Sequence, residues 1–226
     1  MLKIGHRGAS AYLPENTLSS FKRAMSLGAD GIELDVHRCQ SGELVVIHDD
    51  TIDRTTNGKG PVSEMTLTAL RELTVTGDEK ILTLEEVLEA LGREAYYFIE
   101  IKHADAALDA AEIIKAFIAK GWPAEKLILI SFQHQALAQA KEAVPVLTIG
   151  ASFDQVTEHS ASQAKDLGAT FMLPNHRCFT LFHVKQAHKA GLKVIPWTVN
   201  DSNDIARLQA MNVDGIISDY PDRLTT

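Results

Sequence analysis

Eight short apolar runs, each parted from the next by a longer amphipathic or polar stretch, constrain this chain more than any other feature. They are Leu2–Gly5, Gly31–Val36, Tyr96–Lys102, Lys126–Ser131, Val146–Ala151, Phe171–Pro174, Lys193–Val199 and Gly215–Ser218. Their wealth of Ile, Val, Leu and Phe reads as buried strand. The stretches between them read as helix. Asn16–Leu27 carries Leu18, Phe21, Ala24 and Met25 at helical spacing, and Leu84–Leu91 follows a capping box of Thr83 and Glu86. Asp105–Ala119, His134–Glu142, Gln155–Leu167, Leu181–Ala190 and Asn203–Met211 complete the set. Gly28, Gly92, Gly121, Gly168 and Gly191 fall just beyond helical runs, where a C-terminal cap favours glycine.

Strand alternating with helix implies parallel pairing, which leaves a closed barrel or an open doubly wound sheet. Eight strands, chemical residues at the ends of several of them, and no glycine-rich phosphate fingerprint favour the barrel. The expectation is an α/β chain of one domain over residues 1–226, a (β/α)8 TIM barrel with a short final helix and a small insertion after the second strand. That insertion, Asp49–Lys80, fits no βα unit. It contains Asp-Arg-Thr-Thr-Asn-Gly-Lys-Gly-Pro and a short helical run around Leu67–Leu73, and is expected to lie over the barrel mouth.

Composition narrows the partners. A net charge of −8 argues against a nucleic-acid binder, yet leaves room for an anionic small substrate held by a local cation or metal. Cys39 and Cys178 form neither a disulfide framework nor zinc spacing. No apolar run is long enough to span a bilayer, so no stable membrane insertion is expected. The apolar stretch after Met1-Leu2-Lys3 ends too soon for a secretory signal, and a cytoplasmic location is expected.

Alternation along "GIELDVH" places Ile32, Leu34 and Val36 on one face and Glu33, Asp35 and His37 on the other. A parallel barrel strand has no solvated face, so two carboxylates point inward and need a counter-charge. "YYFIEIKH" repeats the pattern with Glu100 and Lys102. Three carboxylates at strand ends suggest a divalent metal site of oxygen ligands, Mg²⁺ or Ca²⁺, in preference to an internal ion pair. His6 and His48 each end an apolar run. Either alone is more often a structural histidine than a catalyst; together at one barrel mouth they become a candidate acid–base pair. Arg7 offers a planar fork for a phosphate oxygen, and Gly8 lets the chain turn sharply beside it.

The segments "HRGASAYLPENTLSSF", "GADGIELDV", "LVVIHDDTIDRTTNGKG", "FIEIK" and "VIPWTVN…DGIISDYP" together resemble the glycerophosphodiester phosphodiesterase family, over almost the whole chain and in the family's order. The resemblance implies a TIM-barrel enzyme that hydrolyses glycerophosphodiesters to sn-glycerol 3-phosphate and an alcohol. It matches the metal carboxylates to Glu33, Asp35 and Glu100, the acid–base histidines to His6 and His48, and the phosphate contacts to Arg7 and Lys102. One departure is Cys39-Gln40-Ser41-Gly42, where the family often has Thr-x-Asp-Gly; the turn glycine is kept.

Metal-assisted cleavage follows, with one histidine deprotonating the nucleophile and the other protonating the leaving alcohol. Which does which stays open, as does whether the glycerol 2-hydroxyl or water attacks. Glu15 and Asn16 are expected to cap the first helix and organise the loop behind Arg7, with orientation of a histidine or contact with the metal's water as a second role for Glu15. Trp197 is expected either to floor the alcohol or glycerol pocket or to be plain core, and His37 to sit behind the acidic residues. His103, His134, His159, His176, His183 and His188 are assigned to surface or loop positions. The rival readings are a lysophospholipase D or phospholipase C on the same barrel, and a non-catalytic sugar-phosphate binder. A small-molecule glycerophosphodiester is the expected partner; oligomeric state stays open.

Overall fold

The computed structural model describes residues 1–225; Thr226, the last residue of the expected domain span, lies outside the described residues. In chain order the elements are β1 (Leu2–His6), α1 (Leu18–Ser26), β2 (Gly31–Arg38), β3 (Leu44–Val46), α2 (Leu67–Glu72), α3 (Leu84–Leu91), β4 (Tyr96–Ile101), α4 (Ala107–Ala119), β5 (Leu127–Ser131), α5 (His134–Ala143), β6 (Thr148–Phe153), α6 (Ser160–Asp166), β7 (Phe171–Pro174), α7 (Leu181–Lys189), β8 (Lys193–Val194), α8 (Ser202–Ala210) and β9 (Gly215–Ser218). A 3₁₀ turn over Pro221–Thr225 stands where the short final helix was expected.

The sheet runs β8-β7-β6-β5-β4-β2-β1-β9, with parallel neighbours throughout. It is drawn closed between its two ends: the Asp214 N–H donates to the Val194 carbonyl at 2.8 Å and the Ile217 N–H to the Pro196 carbonyl at 3.0 Å. The expected barrel is therefore present. The run Lys193–Val199 is regular only at Lys193–Val194. Pro196 brings no N–H to a ladder, yet the chain continues extended, with Trp197 bridged to Asn175 and the Val199 N–H donating to Ile217.

Three of the departures from the expected elements trace to particular contacts. Thr17, not Asn16, caps α1, its hydroxyl accepting from the Ser20 N–H. Helix α6 starts at Ser160 rather than Gln155, because the Thr157 and Ser160 hydroxyls take up local backbone bonds that compete with an earlier helical turn. The segment Leu44–Ile47 supplies a ninth strand, β3, outside the barrel. It pairs antiparallel with β2 through Val36↔Val46, His37↔Val45 and Arg38↔Leu44. The excursion after β2 thus begins with this hairpin, and the segment beyond it packs Ile52, Val62, Leu70 and Val75 against Val45, Ile47 and Ile81, forming a small core of its own.

The two faces of the barrel strands divide as alternation requires. Ile32, Leu34 and Val36 pack outward with Phe21, Ala24 and Ile99 beneath the helices. Ile4, Phe98, Ile128, Phe171, Leu173, Ile195 and Ile217 fill the interior. Each such side chain contributes about 1.5–3 kcal/mol on burial. This apolar plug leaves the inward polar residues only the C-terminal ends of the strands. Among the described residues no helix is long and apolar enough to cross a membrane.

Candidate active site

Sheet register assembles the site. His6, the last residue of β1, pairs in register with Glu33 of β2, and Asp35 of β2 pairs with Glu100 of β4. Two steps along each strand keep the same inward face, so Glu33, Asp35 and Glu100 converge, with ligand oxygens all within 4.8 Å of one another. The hairpin returns the chain to the same mouth: the Ile47 N–H donates to the Asp35 carbonyl at 3.1 Å, and His37 Nε2 lies 2.9 Å from the His48 carbonyl. His6, Arg7, Glu33, Asp35, His48, Glu100, Lys102 and Trp197 all line one cavity of about 210 Å³. Every residue read from the sequence as touching metal or substrate is brought together there.

The loop from β1 to α1 is built on left-handed backbone. Arg7 has φ 52°, Gly8 φ 87° and Asn16 φ 58°. Such conformations cost non-glycine residues energy and persist where surrounding contacts hold them. At Gly8 a side chain is excluded as well, because a Cβ would stand 2.6 Å from the Ser20 carbonyl carbon and 2.8 Å from the Phe21 nitrogen. The sharp turn lets the Arg7 N–H donate to Glu33 at 3.0 Å while its guanidinium reaches Glu15 at 2.9 Å and lies 3.3 Å from Asp35.

Of the other predicted residues, Glu15, Asn16 and His37 do not line this cavity. Asn16 does not cap α1. Its amide donates to Asp35 Oδ2 at 2.9 Å, a buried partner that holds the side chain away from the helix end. Glu15 holds Arg7 and Arg54 and is not a cap either. His37 is buried, and its ring meets that of His103 at 5.3 Å. Trp197 donates from its indole to the Leu173 carbonyl at 2.8 Å and packs edge-on against Phe132, so it is both core and cavity wall. Among the other histidines, His176 lies in a loop but is buried, 3.7 Å from Asp204.

Electrostatics follow from packing three carboxylates into so small a volume. Burial pushes Glu33 up to about 8, with repulsion from Asp35 and Glu100 adding to it. Burial and Asp35 likewise raise Glu100. Burial acts on Asp35 too, but Lys102, Arg7, His48 and Asn16 outweigh it and hold that carboxyl below its ordinary range. The Lys102 ammonium, 2.7 Å from Glu100 and 3.2 Å from Asp35, keeps its proton despite burial because of those two charges. A convergent all-oxygen cluster of three carboxylates has the donor chemistry of a hard divalent cation site.

Sequence reasoning missed four residues. Asp219 lies 2.7 Å from His6 Nδ1, and its other oxygen accepts from Asn200 at 2.6 Å. Burial would push Asp219 up; the hydrogen bond and charge of His6, with Asn200 and Ser10, bring it down to about 2. Burial would lower His6, and the same bond with the Glu33 charge raises it instead. Alternation could have found Asp219, two residues beyond the inward Ile217. Asp49 lies 2.6 Å from the Nδ1 of its neighbour His48. Phe132, one residue past β5, stands exposed at the cavity rim. Arg54 spans Glu15 and Asp49; it lies inside the motif "LVVIHDDTIDRTTNGKG", but hydropathy alternation gives it no role.

Known proteins share this chain's sequence and fold. The Glycerophosphoryl diester phosphodiesterase family matches residues 6–223. A glycerophosphodiester phosphodiesterase of Caldanaerobacter subterraneus subsp. tengcongensis is 40% identical over 233 residues, covering 99% of this chain and 96% of its own. Among solved structures, a phosphodiesterase of Oleispira antarctica in complex with the product sn-glycerol-3-phosphate superposes with a TM-score of 0.91 at 27% identity, covering 100% of this chain and 95% of its own. A glycerophosphodiester phosphodiesterase of Thermotoga maritima gives a TM-score of 0.82 at 28% identity, covering 100% and 97%. With its barrel, its strand-end carboxylates and this match along nearly its full length, the chain belongs to the glycerophosphoryl diester phosphodiesterase family and is an enzyme of that class.

Proposed function

We propose that the enzyme hydrolyses glycerophosphodiesters to sn-glycerol 3-phosphate and an alcohol, with His6 and His48 as its acid–base pair. The observation that carries this reading is that two imidazoles line one cavity beside an acidic cluster, each bonded through Nδ1 to its own aspartate. An ionised carboxylate only accepts hydrogen bonds. Asp219, at about 2, is ionised near neutrality, so Nδ1 of His6 bears the hydrogen and Nε2 exchanges the catalytic proton. Asp49, held low by Arg54, imposes the same tautomer on His48. One ring takes the nucleophile's proton and the other gives a proton to the leaving alcohol.

Arg7 and Lys102 hold the phosphate, their positive charges facing the oxygens on which charge builds. Glu33, Asp35 and Glu100 are the residues that would hold a divalent cation, and their all-oxygen donor set suits Mg²⁺ and Ca²⁺ alike. When bound, such a cation neutralises phosphate charge and lowers the pKa of the attacking hydroxyl. A cavity of about 210 Å³ favours a diester without acyl chains over an intact phospholipid. Such a substrate needs no bilayer contact, and a cytoplasmic location is proposed along with it.

The test is release of sn-glycerol 3-phosphate from a panel of glycerophosphodiesters by the wild type and by His6→Ala and His48→Ala. The wild type should turn over, and each variant should lose at least about 100-fold in kcat. Near-wild-type turnover in either variant would overturn the acid–base assignment.

A further inference from the structure

Arg54 lies in the excursion beyond β3 and does not line the substrate cavity. Its guanidinium nonetheless makes two forks. Nε donates to Asp49 Oδ2 at 2.7 Å and Nη2 to Oδ1 at 2.9 Å; Nη1 donates to Glu15 Oε2 at 2.9 Å and Nη2 to Oε1 at 2.8 Å. Asp49 in turn bonds His48, and Glu15 bonds Arg7. We propose that Arg54 is a positioning residue that sets the His48 ring and the Arg7 guanidinium relative to one another, through Asp49 and Glu15. This rests on the phosphodiesterase reading of the same cavity.

The physical case has three parts. The two carboxylates are carried by different excursions of the chain, Glu15 by the β1–α1 loop and Asp49 by the segment beyond β3, and they share one guanidinium. Without that cation they would repel, and each would lose the fork that fixes its plane. The His48 backbone is anchored independently by His37, so ring orientation is what Asp49 controls. The Arg54 side chain is 48% exposed, and ion pairs this open add little to global stability. Its value lies in geometry, which an ammonium cannot reproduce, because Lys presents a point charge and no planar fork.

The experiment compares Arg54→Gln and Arg54→Lys with the wild type by steady-state kinetics on a glycerophosphodiester, by thermal unfolding, and by the imidazole ¹⁵N shifts of His48. Both variants should keep a near-wild-type melting temperature and lose about tenfold or more in kcat/KM. The loss should divide between kcat, through His48, and KM, through Arg7. Arg54→Gln should cost little more in a Glu15→Gln/Asp49→Asn background, since its route to the site is already cut. The His48 shifts should move in both single variants. Wild-type kinetics in Arg54→Gln, full activity in Arg54→Lys, or an additive loss in the double-variant background would each overturn the proposal. If the wild type releases no glycerol 3-phosphate, the functional reading fails by itself. The His48 shifts still decide the positioning role, and unchanged shifts would refute it.

Discussion

Replacing Asp219 with Asn removes one negative charge from the site and little else by volume. The carboxylate accepts from His6 Nδ1 at 2.7 Å, Ser10 Oγ at 2.8 Å and Asn200 Nδ2 at 2.6 Å. An amide can keep its oxygen toward His6 only by turning its NH₂ toward the Asn200 NH₂. Asn200 cannot answer with a flip, because its oxygen already accepts from Ser218 Oγ and the Asp219 N–H. A hydrogen bond to a charged group contributes about 1.5–3 kcal/mol, so kcat should fall by about 10- to 150-fold if the bond acts fully on the transition state. With the carboxylate gone, its hydrogen bond and charge no longer oppose the burial that lowers His6, and the limb of the pH–rate profile due to His6 should move to lower pH. Stability gives a second readout with a definite sign. Asp219 is held at about 2 against an ordinary 3.8. This corresponds to ~2 kcal/mol near neutrality, reduced to about 1 kcal/mol by partial exposure of the pair. The contribution is fully present above the ordinary value and is lost as pH falls through the folded value, so wild type and Asp219→Asn should converge in urea midpoint on acidification. Unchanged turnover together with an unmoved limb would refute the reasoning.

Because Glu33 is held at about 8, it carries a proton near neutrality until a cation displaces it. Titration of Mg²⁺ or Ca²⁺ by calorimetry in buffers of different ionisation enthalpy should show proton release and tighter binding as pH rises toward that value, while Glu33→Gln should bind weakly with no proton released. EDTA should abolish turnover and either ion restore it; activity indifferent to EDTA would remove the cation from the reading. Gly8→Ala places a Cβ against Ser20 and Phe21 at a φ of 87°, and the strain with overpacking should cost roughly 3 kcal/mol or more in denaturant stability; a melt like that of the wild type would show that this loop is not tightly held.

Much of the site was legible residue by residue. Alternation along β2 decides that Glu33 and Asp35 face inward whatever their neighbours are, and the strand-end positions of His6, Glu100 and Lys102 follow from where the apolar runs stop. Asn16 was misread because asparagine is a good N-cap in isolation. Its amide instead serves Asp35, 19 positions away in the sequence, and leaves the cap to Thr17. The hairpin strand Leu44–Val46 was read only as the run leading to His48, since three residues carry too little period to reveal their antiparallel partner.

What the sequence determined by itself was local: an α/β barrel from the spacing of its apolar runs, inward carboxylates from period-two alternation, and a family from five ordered motifs. What only the tertiary structure decided was which of these groups touch. The His6–Asp219 pair joins residues 213 positions apart and exists because β1 and β9 are neighbours in the barrel. The Arg54 bridge exists because the excursion after β3 folds back over the β1–α1 loop. Periodicity assigns each side chain to a face, but register and closure set its distance to a partner. Hydrogen bonds and charge pairs depend on that distance.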